Sequence, residues 1–260
     1  QPNAMGGREV GGLANMLACH LELENAGHRA TVRDFWQAPT LPEAAGLKAV
    51  DMFRAVGDGR IKALWVMCTN PVVSMPEADR VKDAIANCDF VVVSDMYGDT
   101  DTAKLADIVL PATGWGEKTG TVTNSERCIS RQRPFLPAPG TARHDWDVLA
   151  EVGRRMGWPE FAYESPAEIL REYAALSGLA AQHGKDFDIS ALAIVDYDTL
   201  PPQHWPLTAR SGGRFFADGR FYTPSGRANM VPITAPRQNP LTRAHPFILN
   251  TGRIRDQWHT

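Results

Sequence analysis

The chain has 260 residues, 43% of them hydrophobic, and a formal net charge of -3. That size and composition suit a globular protein with one large core or two domains. The slight acidity excludes a general electrostatic attraction to nucleic acid. The absence of any run of about 18 apolar residues excludes a helical membrane span.

Residues 5–23 carry Val10, Leu13, Ala14, Leu17, Ala18 and Leu21 at helical spacing, which predicts one amphipathic helix with Gly27 helping to end the segment. Arg8 stands at its start between small neighbours. It is either a solvated first-turn charge, poorly placed for the helix dipole, or an anion contact. A second helix is expected over 47–56, closed by Gly57 and Gly59. The nearly continuous apolar run 61–68 then reads as a strand buried on both faces, as in a parallel sheet. After Thr69-Asn70-Pro71, Ser74 and Glu77 have capping-box spacing, and the helix they open should run to about residue 87. Residues 90–93 form the next apolar strand, ending at Ser94-Asp95.

Residues 107–110 are a further short strand, stopped by Pro111, which lacks an N–H. A loop with Gly114 and Gly116 carries the charged pair Glu117-Lys118 before the β-prone run 121–123. That loop is either a turn with a solvated ion pair or a place where a backbone and a Lys meet a charged ligand. Asp145 opens an amphipathic helix through residue 156, where its charge suits the N-terminal dipole. Ser165 to Glu168 offers another capping box, with a helix to about residue 176. Residues 177–200 carry no clear signal. The stretch 201–240 is rich in Pro, Gly and Arg, with a hairpin expected over 215–222 around Asp218-Gly219. Residues 245–250 read as a last strand. Cys19, Cys68, Cys88 and Cys128 lack the spacing of a metal pair.

The helix–strand alternation of 47–95 implies a right-handed parallel α/β sheet with helices on both faces. Ligands of such sheets lie beyond the carboxyl ends of the strands. Asn70, Asp95 and Lys118 all follow strand ends, so three polar residues are expected to converge on one edge.

Four stretches, in order, carry a family resemblance: QPNAMGGREVGG at 1–12, ALWVMCTNPVVSMPEADRV at 63–81, ADIVLPATGWGEKTGTVTNSER at 106–127 and NTGRIRDQWHT at 250–260. Together they resemble the molybdopterin oxidoreductases of the dimethyl sulfoxide reductase family. Within it they are most similar to assimilatory nitrate reductases, with periplasmic nitrate reductases and formate dehydrogenases close behind. Both ends fall inside motifs, so the chain is expected to be an internal piece of a longer protein.

The resemblance implies a Rossmann-like α/β domain over 1–200, a connecting region with a hairpin over 201–244, and at 245–260 the first strand and cofactor loop of a β-barrel domain. It implies a bis-molybdopterin guanine dinucleotide with molybdenum, and a 4Fe-4S cluster bound outside this segment. Asn70, Ser94, Asp95, Lys118, Asp145, Thr251, Gly252, Arg253, Trp258, His259 and Thr260 match cofactor-binding positions. Of these, Asp95 would take ribose hydroxyls, Asp145 guanine, and Lys118 a phosphate or pterin oxygen. Arg8, in the REVG run, would grip the substrate oxyanion. No metal ligand is found within the segment. The implied activity is reduction of nitrate to nitrite in the cytoplasm, with electrons from a ferredoxin, a flavoprotein or an NADH-linked subunit, and with no nucleic-acid or membrane partner. A formate dehydrogenase, another oxo-anion reductase, or a non-catalytic nucleotide-binding module are the alternatives.

Overall fold

A computed structural model of the chain describes residues 3–207, 214–235 and 240–249. Its elements are α1 (Ala4–Glu9), α2 (Ala26–Trp36), α3 (Ala49–Gly57), β1 (Ala63–Met67), α4 (Pro71–Ser74), α5 (Ala78–Ala86), β2 (Phe90–Asp95), β3 (Ile108–Pro111), β4 (Gly120–Thr123), β5 (Cys128–Gln132), α6 (Asp145–Arg155), α7 (Pro166–Gln182) and β6 (Gln203–His204). Strands β1, β2 and β3 form a parallel sheet in that order, while β4, β5 and β6 form a separate antiparallel one. Among the described residues no helix is long and apolar enough to cross a membrane.

The parallel sheet follows directly from the apolar runs. Register pairs Leu64 with Val91 and Val66 with Val93, which puts these four side chains on one face. Phe53 of α3 and Val81 and Ile85 of α5 join Val66, Val91 and Val93 in one buried cluster. On the opposite face Trp65 and Val92 are only half-buried. The expectation of strands buried on both faces is therefore corrected. With three strands, two are edges, and Ile108 and Val109 of β3 remain 43% and 36% exposed.

The first segment is also corrected. The expected helix over 5–23 stops at Glu9, because Gly11 adopts φ +78° and a Cβ there would meet the Leu17 carbonyl carbon at 2.6 Å. The periodic residues then divide. Leu17, Ala18 and Leu21 reach the core along a folded-back loop, while Val10 and Leu13 stay about half exposed. Gly27 ends nothing; it lies in the first turn of α2, where Asn25 Oδ1 accepts the N–H groups of Gly27 and His28 at 2.9 and 3.2 Å.

Neither expected capping box forms. Glu77 is itself the residue before α5, at φ +54°, and pairs with Arg80 at 3.2 Å, while the Ser74 hydroxyl donates to the Asn70 carbonyl. Ser165 makes no side-chain cap, although the Glu168 carboxylate accepts the Glu164 N–H at 2.8 Å. Helix α7 runs six residues past its expected end.

The unsignalled stretch 177–200 supplies the centre of the larger core, with Phe187, Ile189, Leu192 and Leu200 at 2% exposure or less. Small residues on α7, Ala174, Ser177 and Ala180, allow this close approach. Ser177 Oγ donates to the Ala174 carbonyl and accepts the Ile189 N–H at 2.9 Å, so the buried hydroxyl is satisfied. The expected hairpin over 215–222 is a succession of turns. Phe216 lies at φ +62° and stacks on Phe221 at 4.9 Å, which replaces a strand ladder by a ring contact. Residues 245–249 form no strand, and residue 250 lies outside the described residues.

His20 packs against Phe187 and Trp205 in this core, and its Nε2 is buried without a partner. Burial first, then the positive charges of Arg8 and Lys185, lower its pKa from 6.5 to about 4. The folded state thus prefers neutral His20 more strongly than the unfolded chain does. The stability this contributes is full above the unfolded value and is lost as pH falls from about 6.5 towards 4. In denaturant titrations at pH 7 and 4.5, a His20→Asn variant is expected to lose less stability between the two than the parent. Asn tolerates the left-handed backbone at this position, φ +59°. Equal losses would refute the role of His20.

Candidate functional site

The three parallel strands deliver their carboxyl ends to one edge. Beyond β1, Cys68 takes φ +58° and turns the chain towards Asn70, which precedes α4. Asn70 Oδ1 accepts the hydroxyl of Thr102 at 2.6 Å, and Thr102, fully buried, also accepts the Val72 N–H at 3.3 Å. The Asn70 amide is held through its oxygen by this bond. Beyond β2, Asp95 Oδ1 accepts the Tyr97 N–H at 3.1 Å and Oδ2 the Thr100 hydroxyl at 3.4 Å. Each carboxylate oxygen keeps acceptor capacity. Ser94 faces the other way: its hydroxyl accepts the Trp65 indole N–H at 2.9 Å.

The start of α6 is strapped beside the end of β3. Ala112 and Arg143 form a parallel bridge, the Thr113 N–H bonds the Arg143 carbonyl at 3.1 Å, and the buried Thr113 hydroxyl meets His144 Nδ1 at 2.8 Å. This carries Asp145 to the edge. Lys118 Nζ lies 3.7 Å from Asp145 Oδ2, with the two side chains 30% and 22% exposed. The Cys68 thiol points at the same oxygen from 3.8 Å. Burial pushes the Cys68 thiol up, the Asp145 and Asp95 charges add to this, and Lys118 opposes it. Four of the expected residues, Asn70, Asp95, Lys118 and Asp145, are thus brought to one edge. Cys68, Thr102, Thr113 and His144 join them without having been singled out. Hydroxyls at such positions leave no pattern in a sequence.

The Glu117-Lys118 pair is not a pair in space. Glu117 folds back to accept the Gly114 N–H at 2.7 Å, and Lys118 turns to Asp145. Arg8 is exposed, and among the described residues it makes no ion pair; its neighbour Glu9 is buried and engaged elsewhere. Thr251, Gly252, Arg253, Trp258, His259 and Thr260 lie outside the described residues.

A cavity of about 1280 Å³ is lined by none of Asn70, Asp95, Lys118 and Asp145. Gly6, Gly7, Glu9, Trp146, Trp158 and Tyr173 are among the residues that line it. It lies behind the first turn of α6, since Trp146 faces it while Asp145 faces the strand ends.

An open parallel sheet with two acids, an amide and a Lys gathered past its carboxyl ends is the architecture of an α/β ligand-binding domain. The chain belongs to the molybdopterin oxidoreductase family, which matches residues 3–155. It is 47% identical to a nitrate reductase of Klebsiella oxytoca, over all of this chain and 30% of that protein. To a nitrate reductase of Shewanella frigidimarina it is 46% identical, over all of this chain and 29% of that one. The chain therefore spans under a third of the length of these relatives. Among solved structures, acetylene hydratase from Pelobacter acetylenicus matches 71% of this chain and 24% of its own, with a TM-score of 0.51 and 20% identity. That likeness concerns the fold alone.

Proposed function

We propose that this chain is the cofactor-binding segment of a molybdenum enzyme that reduces nitrate to nitrite. The observation that carries this is the meeting of Asp95, Asn70, Lys118 and Asp145 at one strand edge, in a chain of this family. The donor set fits a guanine dinucleotide. Asp95 has free acceptor positions for vicinal ribose hydroxyls, Asn70 and the first amides of α6 supply donors, and Lys118 supplies a cation. Lys118 and Asp145 form an ion pair at 3.7 Å here. A phosphate or pterin oxygen would draw Lys118 away and leave the Asp145 carboxylate to accept the N1 and N2 protons of guanine. Thr251, Gly252, Arg253, Trp258, His259 and Thr260 are assigned to the same cofactor.

The bound molybdenum cofactor supplies two-electron oxygen-atom transfer; this chain binds it, orients it and sets the local field. Arg8 is assigned the nitrate, which a permanently charged planar guanidinium grips through two parallel hydrogen bonds. The 4Fe-4S cluster belongs to sequence outside this segment, and a ferredoxin, a flavoprotein or an NADH-linked subunit delivers the electrons.

The test is cofactor retention. Asp95→Ala or Asp145→Ala in the parent enzyme leaves ligand donors unpaired, which costs roughly 1–3 kcal/mol of binding. Both variants are expected to purify with less molybdenum but with near-normal turnover per bound metal. Full molybdenum content with lost turnover per metal would overturn the assignment.

A further inference from the structure

Among the described residues, Glu9 is the one carboxylate found fully buried, 2% exposed. Its Oε2 accepts the hydroxyl of Thr123 at 2.8 Å, and its Oε1 accepts the indole N–H of Trp205. Thr123 ends β4 and Trp205 follows β6; both are buried. The backbone N–H of Thr123 also bonds Asn3 Oδ1 at 2.9 Å. Helix α1 is therefore fastened to β4 at both of its ends.

A helix of six residues has little stability of its own, so its roll is set by what it is tied to. Neighbouring residues on a helix point about 100° apart, so an inward Glu9 leaves Arg8 on another side of α1. Arg8 is accordingly exposed. The chain after α1 closes tightly on it, with the Gly12 N–H bonded to the Gly7 carbonyl at 2.8 Å. An acid in this place is costly to bury unless it is fully bonded. Burial pushes the Glu9 carboxyl up, and its bonds to Thr123 and Trp205 pull the other way. A short apolar residue would bury more cheaply but would tie α1 to nothing.

We infer that Glu9 is a positioning residue for Arg8: its buried carboxyl fixes the roll of α1 through Thr123 and Trp205, and so the direction in which the Arg8 guanidinium meets the substrate oxyanion. This rests on the proposed reading of Arg8 as the nitrate contact.

The experiment uses the full-length parent enzyme loaded with its cofactor, nitrate as the probe, and amide hydrogen exchange of residues 4–9 as a readout independent of turnover. Glu9→Gln keeps an acceptor for Trp205 and can donate to the Thr123 oxygen, so exchange and nitrate KM are expected to stay within about twofold. Glu9→Ala removes both tethers. Its α1 amides are expected to exchange at least about tenfold faster. Its nitrate KM should rise about tenfold, with molybdenum content near that of the parent. Thr123→Val removes one tether and should shift both readouts the same way by about threefold, which keeps the test available if Glu9→Ala does not accumulate. Unchanged exchange in both variants would overturn the tether. Faster exchange with unchanged nitrate KM would make Glu9 structural only and overturn the inference. Unchanged kinetics in Arg8→Ala would remove the reading of Arg8 itself. Impaired Arg8→Ala kinetics beside an unaffected KM in Glu9→Ala would overturn the positioning role alone.

Discussion

Replacing Arg8 by Ala in the parent enzyme is expected to lower kcat/KM for nitrate about a hundredfold per bound molybdenum, the loss typical of removing one oriented donor from a developing anion. Arg8→Lys keeps the charge and loses the fork, so its loss should be smaller, about tenfold. Molybdenum content and thermal stability should hold in both, because Arg8 is exposed and makes no ion pair among the described residues. The competing reading is a solvated first-turn charge, under which activity per metal barely moves. Glu9 bonds Thr123 and Trp205, so it is not the partner of Arg8. Steady-state nitrate kinetics normalised to metal decide the matter. Values unchanged in both variants would place Arg8 away from the substrate.

The second large effect concerns stability. Phe187 is fully buried, with its ring 5.2 Å from Trp205, 5.3 Å from Tyr173 and 5.6 Å from His20. Phe187→Ala removes the ring from the centre of the larger core and leaves a cavity its neighbours cannot close, costing about 3–5 kcal/mol. In a chain of this size that corresponds to a fall on the order of 10 °C in the unfolding temperature of the domain. Differential scanning calorimetry of the two proteins checks it. A shift of a degree or two would mean that the aromatic cluster repacks freely.

Phe187 also shows where the sequence stops being informative. Its neighbours Lys185, Asp186 and Asp188 are charged, no helical period runs through 185–192, and the alternation of Phe187, Ile189 and Ala191 with polar residues is too short to say what the apolar side packs against. Its burial is decided by α7 folding over it and by Trp205 arriving from β6. Helix α2 was missed for a related reason, since it buries only His28 and Val32 and shows little amphipathic pattern. The hairpin over 215–222 failed in the opposite sense. Asp218-Gly219 does make a turn, with the Arg220 N–H on the Asp218 carboxylate at 3.0 Å, but turn chemistry alone does not create a ladder.

By itself the sequence determined the parallel sheet, because the apolar runs of β1, β2 and β3 are local and bounded by Pro, Gly and polar residues. It also determined that Asn70, Asp95 and Lys118 follow strand ends, since parallel strands must all finish on one side. The tertiary structure alone decided which of these groups touch. Lys118 left its sequence neighbour Glu117 for Asp145, and Cys68 reached Asp145 across 77 residues, because the Ala112–Arg143 bridge docks α6 against β3. It alone decided that Glu9 turns inward and Arg8 outward, because the donors that capture Glu9, Thr123 and Trp205, lie 114 and 196 residues further along the chain. Local residue types set the strands and their ends, whereas side-chain bonding between segments so far apart depends on how the chain packs.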